Sequence, residues 1–465
     1  MCRVDFLTPT SRIPAHIGLL VLVLFSLDRL LLLTSSPMKI HIKIVVLCLL
    51  AASLVLPALA FAQETFFVSP TGDDSAEGSF RTPWRTMRVA CTRLSPGDTL
   101  IVEDGDYLDE GTIQVRFADP ETGVFGALLG DENHQTRIRS RSGNSRIFGD
   151  FDIRGSFIII SGLEVVGNGE SNPAGIGVFE SMEIDIFNNV IRNHGGCGIL
   201  MYQCDLVDIF RNVIFDNANS NPLQHSGISI FQPVVRTLDG TISEGAPISE
   251  QISNRIGIRI RNNICFNNEN FVPTSEAEGI ITDGNGIIVD DYLYTQTSES
   301  LMAAVAGFGS PFGFAGTPMI DVDEDGRLIS YARPTLINSN IAFQNGGRGI
   351  HSFLGTKITI RRNICAANLQ SQALQDSMFR NDDGELSFLN GEISLSESDN
   401  CLVIFNLGVS FEAEKAAASD VFFNFAPEDG MSTNLWRRNT FINTADPADT
   451  VSVFGAESTL LLEAP

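Results

Sequence analysis

One six-residue pattern, apolar-x-x-Asn-x-apolar, recurs through the middle of this chain and constrains its fold more than any other feature. It appears as Ile186-Phe187-Asn188-Asn189-Val190-Ile191 and Ile209-Phe210-Arg211-Asn212-Val213-Ile214. It returns as Ile260-Arg261-Asn262-Asn263-Ile264-Cys265, Ile337-Asn338-Ser339-Asn340-Ile341-Ala342 and Ile360-Arg361-Arg362-Asn363-Ile364-Cys365. Trp436-Arg437-Arg438-Asn439-Thr440-Phe441 is a late copy. Asn189 to Asn212 and Asn340 to Asn363 are each 23 residues apart, and the larger intervals imply insertions. A second column, Gly175-Ile176, Gly198-Ile199, Gly227-Ile228, Gly286-Ile287 and Gly349-Ile350, falls between the asparagines.

A fixed period of this length means a solenoid. The segments are short, β-branched and bounded by Asn, Gly and Asp, which are strand and turn signals. No Leu-x-x-Leu-x-Leu framework and no 3.6-residue period is present, so leucine-rich and helical solenoids are excluded. A parallel β-helix remains, with one coil per repeat and like side chains stacked in ladders. Asn suits the corner because it tolerates a left-handed backbone and its amide can bond the next Asn in the column.

A solenoid needs a cap over its first exposed core. Thr82-Pro83 opens an expected helix to about Leu94, with Thr82 as N-cap and Pro83 at the first position. Trp84, Met87, Cys91 and Leu94 make its apolar stripe. The expected fold is all-β: a right-handed parallel β-helix with an N-terminal capping helix. It forms one domain over residues 63–465, with insertions at about 232–256 and 293–334.

Residues 1–62 read as a targeting region. Lys39 to Lys43 is basic, an apolar run follows from Ile44 to Leu59, and Ala60-Phe61-Ala62 has the small-x-small form of a signal-peptidase site. Met38 is then the expected start. The earlier run from Ile17 to Leu33 carries Asp28 and Arg29 and makes a poor spanning helix. The mature chain is expected to be secreted, periplasmic or held at the cell surface, with no stable membrane span.

The formal net charge of −25 excludes nucleic-acid or anionic-membrane binding driven by net charge. Phe (32) far outnumbers Tyr (5) and Trp (2), which suits a dry core with stacked rings. Cys265 and Cys365 hold the same place in two repeats, so they read as a buried apolar column rather than a bridge. No Cys or His spacing suggests zinc.

Three segments carry a resemblance. They are Phe67-Val68-Ser69-Pro70-Thr71-Gly72-Asp73-Asp74, Pro83-Trp84-Arg85-Thr86 and the run Pro96 to Tyr107. Together they resemble the amino-terminal signature of right-handed β-helix proteins of the pectate-lyase-like superfamily, over about Thr65 to Cys365. That resemblance implies the fold and leaves the reaction open, because the group holds lyases, hydrolases, epimerases and proteins without known activity. By pattern the chain is also similar to family-nine pectate lyases. Gly284-Asn285-Gly286-Ile287-Ile288 aligns with the coil that carries their lysine base and puts Ile288 there. His225-Ser226-Gly227-Ile228-Ser229 aligns with their calcium-binding aspartates and replaces them. That apparatus is therefore not carried over.

Other polar residues gather on the same column. His351 falls one coil from Ile288, Arg348 stacks on Asn285, and Asp290 stacks on Phe353. His194 and His225 fall just before the same strip. As a site, His351 and Arg348 are the candidate catalytic pair, and Asp290, Asn285 and His225 the candidate substrate contacts. Asp283 with Asp290 and Asp291 is a candidate Ca²⁺ site, as is the loop Asp321, Asp323 and Asp325, although Ala332 stands at its twelfth position. Read structurally, the same residues cap turns. Three functions compete: a lyase or epimerase on uronic-acid glycans, a two-carboxylate glycoside hydrolase, and a non-catalytic surface or glycan-binding protein. The expected partner is an acidic polysaccharide.

Overall fold

The computed structural model describes residues 63–118, 125–170, 172–236, 255–273, 281–292, 331–376, 390–421, 431–454 and 457–460. Residues 63–465 form one compact unit. Each coil contributes one strand to each of three parallel sheets. In one coil these are Asp205–Phe210, Val213–Phe215 and Ile228–Phe231. The next coil lays Ile258–Arg261, Ile264–Phe266 and Ile287–Asp290 directly on them. Thr335–Asn338, Ile341–Phe343 and Ile350–Phe353 follow. The first sheet runs unbroken from Thr65–Val68 to Glu457–Leu460. This is the right-handed parallel β-helix expected from the repeat.

Strand alternation builds the core. Ile184, Ile186, Val207, Ile209, Ile258, Ile260, Ile337 and Ile360 are fully buried in one apolar interior. Cys265, Ala342 and Cys365 lie in register in the second sheet. All six cysteines of the described residues are free and buried, so they pack as apolar side chains.

The corner asparagines form one continuous ladder: Asn189, Asn212, Asn263, Asn340, Asn363, Asn406 and Asn439. Each Nδ2 donates to the next Oδ1 at 3.0–3.1 Å. Each backbone N–H donates to the same oxygen. The left-handed residue is the one before the ladder, such as Asn188, Arg211 or Asn262, at φ 56–57°. The ladder Asn itself turns inward and is satisfied on both sides, which removes the penalty of burying its amide.

A second ladder, unread in the sequence, turns the chain from the second sheet to the third. Asn217, Asn268, Asn345 and Asn368 bond in the same way. Asn368 ends it by donating its backbone N–H to the buried carboxylate of Glu392 at 3.0 Å.

The cap is shorter than expected. Its helix is Met87–Thr92 with Thr86, not Thr82, as N-cap. Trp84 is held extended as a bridge to Val68, so the backbone cannot turn helical at Pro83. Glu110 accepts the N–H groups of Met87 and Arg88 and stabilises the first turn. The stripe Trp84, Met87, Cys91 and Leu94 is buried as read.

Candidate functional site

The candidate residues lie along the outer face of the third sheet. Within Ile287–Asp290 and Ile350–Phe353, Ile287, Val289 and Ile350 point into the core. Ile288 and His351, paired in register, therefore point outward. Asp290 pairs with Phe231 on one side and Phe353 on the other. Phe231 in turn stacks on Tyr202 at 5.7 Å, so Asp290 interrupts an aromatic ladder.

Asn285 joins the groups at the start of these strands. Its Nδ2 donates to Asp283 at 3.0 Å and to Ser226 Oγ at 3.1 Å. Its Oδ1 accepts the backbone N–H of Arg348 at 2.8 Å. The Arg348 guanidinium donates twice to Asn390 Oδ1, at 3.1 and 2.6 Å, and once to the Thr282 carbonyl at 2.6 Å. His351 Nε2 lies 3.2 Å from Ser396 Oγ, and Nδ1 has no hydrogen-bond partner among the described residues.

Burial sets the electrostatics. Asp283, Arg348 and His351 are 8%, 9% and 5% exposed. Desolvation raises the Asp283 carboxyl to about 7, with Arg348 and the Asn285 hydrogen bond opposing it. Desolvation lowers the Arg348 guanidinium to about 10, with Asp283 opposing it. His351 is held well below the usual imidazole range by burial first and by the charge of Arg348 second. The result is one fixed cation between a carboxyl that changes charge near neutrality and an imidazole kept neutral. The unpartnered ring nitrogen can accept a proton, but burial and the neighbouring cation make it a weaker base than a free imidazole, so it depends on Arg348 to acidify the carbon next to a substrate carboxylate.

The remaining candidates are placed differently. His225 Nδ1 accepts the Cys197 N–H at 3.1 Å, so His225 caps a turn. His194 occupies the second ladder: its backbone N–H donates to Asn217 Oδ1 at 3.1 Å. Asp291 is fully buried in the corner after the third-sheet strand, where it accepts from Gln232 Nε2 at 2.7 Å. Asp283 and Asp291 thus flank the strand Ile287–Asp290 at opposite ends and do not converge on one cation. Among the described residues no three His, Cys, Asp or Glu side chains gather as a metal site. Asp321, Asp323 and Asp325 lie outside the described residues, as does most of both expected insertions. The described roots of those insertions meet at buried Asp205. It accepts from the Arg236 N–H at 3.1 Å, Tyr331 Oη at 2.6 Å and Arg333 Nε at 3.0 Å.

Asn390, Thr282, Ser226 and Ser396 were not read from the sequence. Asn390 and Thr282 come from irregular turns outside the repeat, whereas Ser226 precedes Gly227 in the Gly-Ile column and Ser396 pairs in register with Phe353.

No family model and no curated protein matches the chain. Among solved structures it is similar to the pectate lyase Pel9A, at 13% identity over 84% of this chain and 83% of that one, with a TM-score of 0.42. It is similar to the A-module of the Azotobacter vinelandii mannuronan C-5 epimerase AlgE4, at 10% identity over 78% and 88%, with a TM-score of 0.39. It is also similar to a GH136 lacto-N-biosidase from Eubacterium ramulus, at 13% identity over 85% and 67%, with a TM-score of 0.43. At these identities no activity and no residue role transfers to this chain.

Proposed function

We propose that the protein is an exported, carbohydrate-active β-helix protein that acts as a lyase or epimerase on uronic-acid glycans. The observation that carries this reading is the buried, unpartnered Nδ1 of His351 within electrostatic reach of Arg348. Arg348 would face the uronate carboxylate and make the proton on the adjacent ring carbon more acidic. His351 would take that proton. In a lyase the electron pair forms the ring double bond as the neighbouring glycosidic C–O bond breaks. In an epimerase a proton returns to the opposite face. Ca²⁺ would supply additional neutralisation of substrate charge when bound, and no single set of described residues fits it.

The hydrolase reading is weakened, because Asp291 is buried on Gln232 while Asp290 sits in the outward aromatic column. The non-catalytic reading is favoured by one observation: the three hydrogen bonds from the Arg348 guanidinium to Asn390 and Thr282 also make it a structural clamp.

Incubation of the purified mature protein with a panel of uronate polysaccharides separates these readings. A lyase yields an unsaturated, ultraviolet-absorbing product, and a hydrolase yields reducing ends without it. Epimerisation shows as a changed uronate composition. His351→Ala should lower turnover roughly 10²–10⁴-fold with the fold intact. Binding with no product from any substrate would sink the catalytic reading.

A further inference from the structure

A second surface, at the turn from the second sheet to the third, has the chemistry of a ligand site. The residue after each second-sheet strand is left-handed: Asp216, Asn267 and Gln344, at φ 55°, 52° and 52°. These side chains are exposed and stand one per coil, with the Asn267 N–H donating to the Gln344 carbonyl at 3.2 Å. Beside them Phe215, Phe266 and Phe343 stack at 4.8 and 5.0 Å. The polar column, with Glu269, Phe271 and Gln370, lines an open depression of about 380 Å³, a size within the usual range for small-ligand sites. Phe271 is 63% exposed at its edge. Glu269 is half-buried and packs on Gly346, where an added Cβ would come within 2.5 Å of its Cγ.

We infer that this depression binds a neutral, hydroxyl-rich glycan laid along the solenoid axis, independently of the reaction proposed above. The amides of Asn267 and Gln344 offer donors and acceptors together, as hydroxyl groups require, and Gln370, whose Nε2 donates to the Ala367 and Asn368 carbonyls, adds its Oε1 as an acceptor. Asp216 and Glu269 add strong acceptors. Phe271 offers a ring face to the C–H face of a sugar. Successive coils present this set about 4.8 Å apart, close to the length of one pyranose unit in an extended chain. The lining holds two carboxylates and no cation. In a protein with a net charge of −25, that disfavours polyuronates and nucleic acids at this surface.

Calorimetric titration of the mature protein with cellohexaose, mannohexaose and xylohexaose, against oligogalacturonate of similar length, tests the inference. At least one neutral probe should bind, and its affinity should exceed that of oligogalacturonate. Phe271→Ala should weaken that neutral probe about tenfold, the loss of roughly one stacking contact. Asn267→Gly, which keeps the left-handed turn unstrained, should weaken it as well, with both variants melting like the parent. The inference is overturned if no neutral hexasaccharide binds at millimolar concentration, or if both variants bind as the parent does. Binding is read without turnover, so inactivity on uronate polysaccharides would leave this result standing.

Discussion

Asn285 accepts the backbone N–H of Arg348 from the next coil at 2.8 Å while its own amide donates to Asp283 at 3.0 Å. One buried side chain thus fixes both charged members of the candidate site. Asn285→Ala leaves the Arg348 N–H and the Asp283 carboxyl each short of a partner in a dry setting. Denaturant unfolding should show a loss of about 1–3 kcal/mol, with the slope against denaturant unchanged. A loss near zero would mean that water replaces Asn285 and that the site is wetter than its burial implies.

The buried carboxyls give stability a definite pH slope. Desolvation raises Glu392 to about 8 and Asp283 to about 7. Folded protein therefore holds protons that the unfolded chain releases from pH 4–5 upward. Their stabilising contribution is complete below the unfolded values and is lost as pH rises through the folded ones. His194 and His225 move the other way. Burial lowers both to about 4, so their contribution falls as pH drops from 6.5 toward that value. As pH rises above 6.5 the unfolded histidines lose the rest of their protons, so the raised carboxyls come to set the slope. The melting temperature should fall between pH 6.5 and 8, and Glu392→Gln should flatten that fall. An equally steep fall in the variant would rule Glu392 out as its source.

The first Asn ladder was legible because the period of 23 residues repeats through uninserted coils, as from Asn189 to Asn212 and from Asn340 to Asn363. The register of His351 beside Ile288, and of Asp290 between two phenylalanines, followed from the Gly-Ile column. The second ladder sits five residues after the first but was missed, because His194 stands where the others carry Asn and so hides the column. The partners of Arg348 were illegible for a different reason. Asn390 is 42 residues away in sequence and Thr282 is 66, across coils of unequal length, so no periodic argument places them. The cap helix was misplaced because Trp84 spends its backbone on a sheet bridge, a tertiary contact that overrides a good local capping signal.

His194 gives a direct separation of structural from catalytic histidines. It fills an Asn position of the second ladder and leaves Nε2 without a partner among the described residues. His194→Asn restores the residue used in the next four coils. It should stay within about 1 kcal/mol of the parent and keep full activity on any substrate found. A large loss of turnover at unchanged melting temperature would place His194 in the site instead.

Calcium is testable without knowing the substrate. Millimolar calcium, compared with a chelator control, should raise the melting temperature by mass action on the folded state, which gains about 2.7 kcal/mol of stability where the ion is at a hundred times its dissociation constant. The acidic loop of Asp321, Asp323 and Asp325 is the expected source, since Asp283 and Asp291 flank their strand at opposite ends. Asp323→Asn should remove the shift. Absence of any shift in the parent removes calcium from the account.

Asp290 offers the sharpest test of where the functional surface lies. Tyr202 and Phe231 stack along the outer column of the third sheet, and Phe353 resumes the aromatic run one coil beyond Asp290. A chain selected only for stability gains from an aromatic at position 290, because a stacked pair is worth about 0.5–1.5 kcal/mol beyond its area. Asp290→Phe completes the column and adds buried apolar surface. The variant should melt at or above the parent temperature. If Asp290 contacts the substrate, the same variant should lose affinity for the uronate glycan, most visibly as a higher KM, because the new ring fills the space beside His351 and removes the carboxylate. A variant that is more stable and fully active would move the substrate path off this column. A variant that is more stable and impaired would show that this coil gives up packing energy for function.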